Sequence, residues 1–221
     1  MGLIYSSAES SELIAALSKN LTSAKAAVNQ LSKGSRQVIL AVDGRTLSGA
    51  AYTAAAGLFS DCILPAITRL TTSIEGIEQE LETYKAEDSL ISSEGYLDED
   101  NLRQQLKAIK EMKLSVDITC TFVKSQTRTT LMTNVLDIVV DFQKNLREMS
   151  ENLQRDMNEL EGKLYKLQAF SKRTNGLFSN SLSDMTLAMQ AVLLLNKTVV
   201  RKDGTYTFPS GVDKSWFQQL H

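Results

Sequence analysis

The chain has 221 residues, of which 43% are hydrophobic and 23% charged, a balance that builds a packed globule and excludes a disordered segment. Its formal net charge of −2 supplies no general attraction to nucleic acid or to an anionic membrane. Two prolines and eleven glycines are few interruptions, so long helices are expected.

The opening "MGLIYSSAESSEL" has no basic leader, no long apolar core and no small-residue cleavage site, so no secretory signal peptide is expected and synthesis is assigned to the cytoplasm. Ser6 followed by Glu9 is a capping box, and a helix is expected from about Ser7 to Val42. Its apolar or small residues Leu17, Leu21, Ala24, Val28, Leu31, Ser35, Val38 and Val42 step by four and three, the repeat of a coiled-coil seam. A helix of ~35 residues is ~50 Å long and needs a neighbour of similar length. Asp43-Gly44 breaks it. A second stripe then runs through Leu47, Ala51, Ala54, Leu58, Cys62, Ala66, Leu70, Ile74, Ile77, Leu81 and Tyr84. Pro65 lies inside this stripe and should kink the helix near residues 61–65 without ending it. Two long helices joined by a short glycine-containing turn form an antiparallel hairpin, here residues 1–90.

Residues 91–101 read as a polar linker, with Asp98 or Asp100 placed to cap the next helix. A second long hairpin is expected over 102–176. Its first helix carries Leu102, Leu106, Ile109, Val116, Cys120 and Val123 and fades near residues 125–130. Its second carries Val135, Val139, Phe142, Leu146, Met149, Leu153, Met157, Leu160, Leu164 and Leu167, and Asn175-Gly176 ends it as a left-handed cap. Residues 177–221 read as a short helix, roughly Ser181 to Asn196, then a β-hairpin about Asp203-Gly204 and a tail holding Trp216. The fold class is therefore all-α, elongated, with long antiparallel hairpins and a small β-hairpin near the C-terminus.

Little in this chain points to catalysis. The one histidine, His221, lies at the end of the sequence, a poor place for a positioned base. No phosphate loop or metal-spaced ligand set is present, and Cys62 and Cys120 sit in apolar stripes as buried free thiols. The expectation is a protein that is not an enzyme and holds no cofactor or metal. Arg103, Lys107, Lys110 and Lys113 line one side of a helix and read as a solvated face. The informative excess is apolar. Phe59, Ile63 and Ile67 form a second row beside the Leu58/Cys62 stripe, and at ~25 cal/mol per Å² such a row seeks cover. That cover is either a foreign helix or the later segments of the same chain. Leu13, Leu17, Leu21, Val28, Leu31, Leu58, Phe59, Ile63 and Ile67 are the candidate partner-binding residues.

The start "MGLIYSSAESSELIAAL", the turn "VDGRTLSGAAYTAAAGLFSDCILP", the linker "SSEGYLDEDNL" and the close "NGLFSNSLSDM…DGTYTFPSGVDKSWF", in that order, resemble the LXG domain, the targeting region of polymorphic toxins exported by the type VII (Esx) system of Gram-positive bacteria. The resemblance implies an elongated helical domain, distantly similar to the small Trp-x-Gly secreted hairpins. Leu47 would take the place of that Trp and pack into the seam, and Gly49, after Ser48, would let two backbones approach closely. It implies a role in targeting an attached C-terminal toxin to the export machinery, with small helical proteins encoded nearby and the secretion ATPase or channel as partners, in interbacterial competition. It implies export to the extracellular space or cell surface. The related small proteins use a Tyr-x-x-x-Asp/Glu signal; Tyr84 with Asp88 and Tyr96 with Asp100 match it, unless a partner supplies the signal. Two other readings stay open: a helical membrane-active toxin with 185–200 as its inserting segment, and a structural coiled-coil homodimer.

Overall fold

The computed structural model describes residues 2–127, 133–195, 197–201 and 203–208. The protein is 83% helical. In chain order it comprises β1 (Ile4–Ser6), α1 (Ser7–Asp43), α2 (Ala50–Leu58), a π-helical turn (Phe59–Ile63), α3 (Leu64–Ser89), a 3₁₀ turn (Ser92–Glu94), β2 (Tyr96–Asp98), α4 (Glu99–Thr127), α5 (Thr133–Thr174), α6 (Ser179–Leu195), β3 (Val199–Val200) and β4 (Tyr206–Thr207). Four long helices and a small C-terminal β-hairpin make the fold all-α. The fading of the third helix was expected near residues 125–130; α4 ends at Thr127, and 128–132 lie outside the described residues, as do Trp216 and His221. Two compact units divide the chain: residues 1–10 with 87–175, and residues 11–86 with 176–221.

In the second of these units α1 and α3 run antiparallel, with Lys25 of α1 paired to Glu78 of α3. Leu21 and Val28 of α1 meet Ile67, Leu70, Ile74, Ile77 and Leu81 of α3 in one buried cluster. Leu31, expected in that seam, is 53% exposed. The seam is kept by Leu21, Val28 and Ser35, all buried and seven apart, and Leu31 falls to one side of that line. The third wall is α6: Ala188 is 1% exposed within the same cluster, and Met185 and Val192 pack against it. Arg69 of α3 pairs with Asp184 of α6 at 2.8 Å. Gly76 of α3 faces Ser181 of α6 so closely that a Cβ there would lie 2.8 Å from the serine hydroxyl.

The π-helical turn explains how the α2–α3 stripe stays in phase. Buried Ala54, Leu58, Cys62, Ala66, Leu70 and Ile74 recur every fourth residue. In an ideal α-helix each step of four overshoots a full turn by ~40°, so such a row would spiral off the face. The π turn winds less per residue and recovers part of that drift. It ends with the Leu64 N–H donating to the Phe59 carbonyl, directly before Pro65, whose ring and missing donor disturb the ordinary ladder. The helix continues beyond Pro65, as the unbroken stripe foretold.

In the first unit the expected linker 91–101 contains a strand, β2. β1 pairs antiparallel with β2, with Tyr5 opposite Leu97. Both point inward, each 4% exposed, into a core with Ile91, Leu102 and Leu167. Phe170 of α5 meets the Tyr5 ring edge-on at 5.1 Å. Glu99, the first residue of α4, clasps three elements. Its Oε2 accepts from the Leu3 N–H at 3.0 Å, and its Oε1 accepts from Arg103 at 2.7 Å and from Gln168 of α5 at 3.0 Å. The Leu3 amide, then Arg103 and Gln168, hold its carboxyl down at about 2. Asp98 caps α4 by accepting from the Asn101 N–H at 3.0 Å. Along the α4–α5 seam Val116, Cys120 and Leu153 are buried. Beside them Asp117 accepts from Ser150 at 2.6 Å and Lys113 at 2.7 Å.

Candidate functional site

The turn that carries Leu47-Ser48-Gly49 is built by backbone geometry. The Gly44 N–H donates to the Leu40 carbonyl at 2.8 Å and closes α1. The left-handed residue that follows is Arg45 (φ 59), not Gly44. The Leu47 N–H then donates to the Ala41 carbonyl at 3.0 Å, which folds the segment back on the end of α1. Leu47 is half-buried and Ser48 exposed. Gly49 takes φ 121, ψ 157 as the N-cap of α2, a region open essentially to glycine alone. Its carbonyl accepts from the Tyr52 and Thr53 amides at 3.0 and 3.1 Å. The expected reason for this glycine, close approach of two backbones, is not what the described residues show: none of them lies within 4 Å of a Cβ built there. Conformation, not crowding, requires it.

The candidate partner-binding residues divide by exposure. Leu21, Val28, Leu58 and Ile67 are buried, and Ile63 and Leu17 pack against the same core as partly buried side chains. Phe59 is half-buried. The row Phe59-Ile63-Ile67 therefore finds much of its cover inside the chain, because α6 returns to α3. The buried members have no surface to offer. Only Leu13, at 48%, and Leu31 remain exposed.

The two Tyr-x-x-x-Asp matches differ as well. Asp88 is 8% exposed and accepts from the Tyr5 hydroxyl at 2.7 Å and from the Ser10 hydroxyl. Tyr84 leans on Phe178, ring centroids 6.5 Å apart. Those two side chains are committed to packing. Tyr96 is 61% exposed on β2, while Asp100 in the first turn of α4 accepts from the Gly2 amide at 3.0 Å. This pair spans a strand end and a helix start, so it does not lie along one helical face.

The C-terminal hairpin docks on α2 and the π turn. Val200 pairs with Tyr206, and Gly204 (φ 89) forms the expected turn, lying against Ala50. The Cys62 thiol donates to the Tyr206 hydroxyl at 3.8 Å, and that hydroxyl donates to Asp61 at 3.4 Å. Burial pushes the Cys62 thiol up. Burial, then the thiol and Asp61, push the Tyr206 hydroxyl up too. Both stay protonated, the reverse of an activated nucleophile.

One exposed apolar surface has only a weak signal in the sequence. Leu114, Ile118 and Phe122 of α4 are 62%, 61% and 62% exposed. Their spacing of four was readable as a row, but the stronger stripe through Val116 and Cys120 drew the assignment of that helix's apolar face.

These features define a class: an all-helical protein built on a long antiparallel hairpin, with a glycine-dependent Leu-x-Gly turn between its helices. The family model for the LXG domain of the WXG superfamily matches residues 6–206, and the chain belongs to that family. No curated protein and no solved structure matches it. Membership gives the chain a secretion-associated role, linked to type VII systems, and helical secretion partners in general terms.

Proposed function

We propose that the chain is a secretion-targeting adaptor, which binds small helical partner proteins and directs an attached C-terminal toxin to the type VII export machinery. The observation that carries this reading is the family match, which runs from the start of α1 to the last β-strand and so takes in the hairpin, its turn and the docked β-hairpin together. In this reading the chain acts by binding rather than by catalysis, in keeping with the burial of Cys62 and Cys120 and the protonated forms of Cys62 and Tyr206. The helical stretch Ala50–Ser89 is long and apolar enough to cross a membrane by length and composition. Cys62, Ala66, Ile67 and Leu70 in that stretch are core residues, and 33% of its most apolar window is buried.

The test is export of a reporter protein fused after His221, in a host with an intact type VII system and in the same host lacking its secretion ATPase. Reporter in the medium of the first host alone is the expected result. Equal amounts in both media, or none in either, overturns the reading. In the same assay Tyr96→Ala and Asp100→Ala examine a signal at the surface of the fold. The matching changes at Tyr84 and Asp88 disturb packing first and are uninformative about recognition.

A further inference from the structure

On α4 successive side chains turn by ~100°. This places Leu114, Ile118 and Phe122 within ~40° of one line, opposite the side of half-buried Ile109 and buried Val116 and Cys120 that meets α5. Among the described residues nothing encloses that outer line: the three side chains are 61–62% exposed. Lys107 continues it toward the helix N-terminus, with Arg103 and Lys110 flanking. A shallow groove is lined by Arg103, Leu106, Lys107, Lys110, Glu111 and Leu114, three cations to one carboxylate. A second is lined by Asp117, Ile118, Thr121, Phe122 and Ser125. Arg103 pairs with Glu99 and Lys110 with Glu161, whereas Lys107 has no ion pair among the described residues. The face is thus apolar at one end and basic at the other, in a chain of net charge −2.

We propose that the outward face of α4 seats an acidic amphipathic helix of a partner protein. Leu114, Ile118 and Phe122 receive that helix's apolar stripe, and Lys107, with Arg103 and Lys110 beside it, receives its carboxylates. The proposal rests on the adaptor reading and adds to it a location and a charge. A second copy of the chain fits the face poorly. Antiparallel pairing about Ile118 carries Lys107 and Arg103 past Thr127, where α4 ends, and sets Lys110 toward position Gln126, which is not acidic. Parallel pairing sets Lys107 against Lys107. Charge complementarity therefore asks for a different, acidic helix.

The test is co-expression of the full chain with each small helical protein encoded beside its gene, followed by size-exclusion chromatography and titration calorimetry. Ile118→Glu should weaken the complex at least ten-fold, and Ile118→Val should not. Lys107→Glu should weaken it several-fold and flatten the rise of Kd with salt. Leu40→Glu, at another exposed leucine on α1, is the control and should bind as the unaltered chain does. Because Ile118 is exposed, circular dichroism should show the variants folded. If the unaltered chain binds and Ile118→Glu binds equally well, the α4 seat is wrong while the adaptor reading stands. If the unaltered chain binds none of these proteins, the adaptor reading fails and the seat with it. Sedimentation showing a dimer that Ile118→Glu dissolves would give the face to a second copy and overturn the proposal.

Discussion

Gly49 shows how a single residue can be right in sequence for a reason that only geometry supplies. Its φ of 121 and ψ of 157 exclude a side chain, yet the space around it is open. Gly49→Ala should therefore cost ~1–3 kcal/mol through backbone strain alone, read as a lower urea midpoint at unchanged slope. A loss near zero would show that the turn relaxes to another conformation. The same contrast separates Asp88 from Asp100. Both end a Tyr-x-x-x-Asp match, but Asp88 is spent on the hydroxyls of Tyr5 and Ser10. Spacing alone could not tell the two apart, because burial depends on strand β1 arriving from the other end of the sequence.

At the scale of elements, helices whose apolar residues keep one face were legible, and elements that depend on distant partners were not. The α1 start at Ser7, the α5 end before Gly176 and the Asp203-Gly204 hairpin all follow from local caps and turns. By contrast β1 and β2 are three residues each, too short for a periodic signal, and exist because they pair across ninety positions. α6 is the decisive case. Its sequence marks it as apolar, but only its docking against α3 shows that it supplies the cover sought by Ile63 and Ile67. Ala188→Asp would put a carboxylate where 1% of the residue is exposed, with a desolvation penalty of roughly 3 kcal/mol or more. We expect α6 to detach, seen as faster amide exchange in α3 between residues 63 and 77. Protection left unchanged there would refute the role given to α6.

At the scale of the whole molecule, two buried clusters carry the fold, one about Ile74 and Leu81 and the other about Tyr5 and Leu167. Each draws on segments distant in sequence. Ile74→Ala and Leu167→Ala, at 2% and 1% exposure, should each lower stability by roughly 2–5 kcal/mol. Since the two side chains share no cluster, the losses should add within about 0.5 kcal/mol in the double variant, as measured by urea unfolding. A large departure from additivity would mean that the two clusters are energetically one.

By itself the sequence determined the helices, their caps and the family, and the seams only in part, since Leu31, Phe142 and Met149 were expected in them and are exposed; the helices, caps and family are set by periodicity, local hydrogen-bonding chemistry or an ordered set of motifs. The tertiary structure alone decided which apolar rows stay uncovered. The row on α2–α3 looked richest and is largely enclosed by α6; the row on α4 stood behind the stronger Val116/Cys120 stripe and is the one that remains exposed. The reason is physical. Hydrophobicity states how much surface a side chain would hide, whereas whether it is hidden depends on which segments the chain brings back to it.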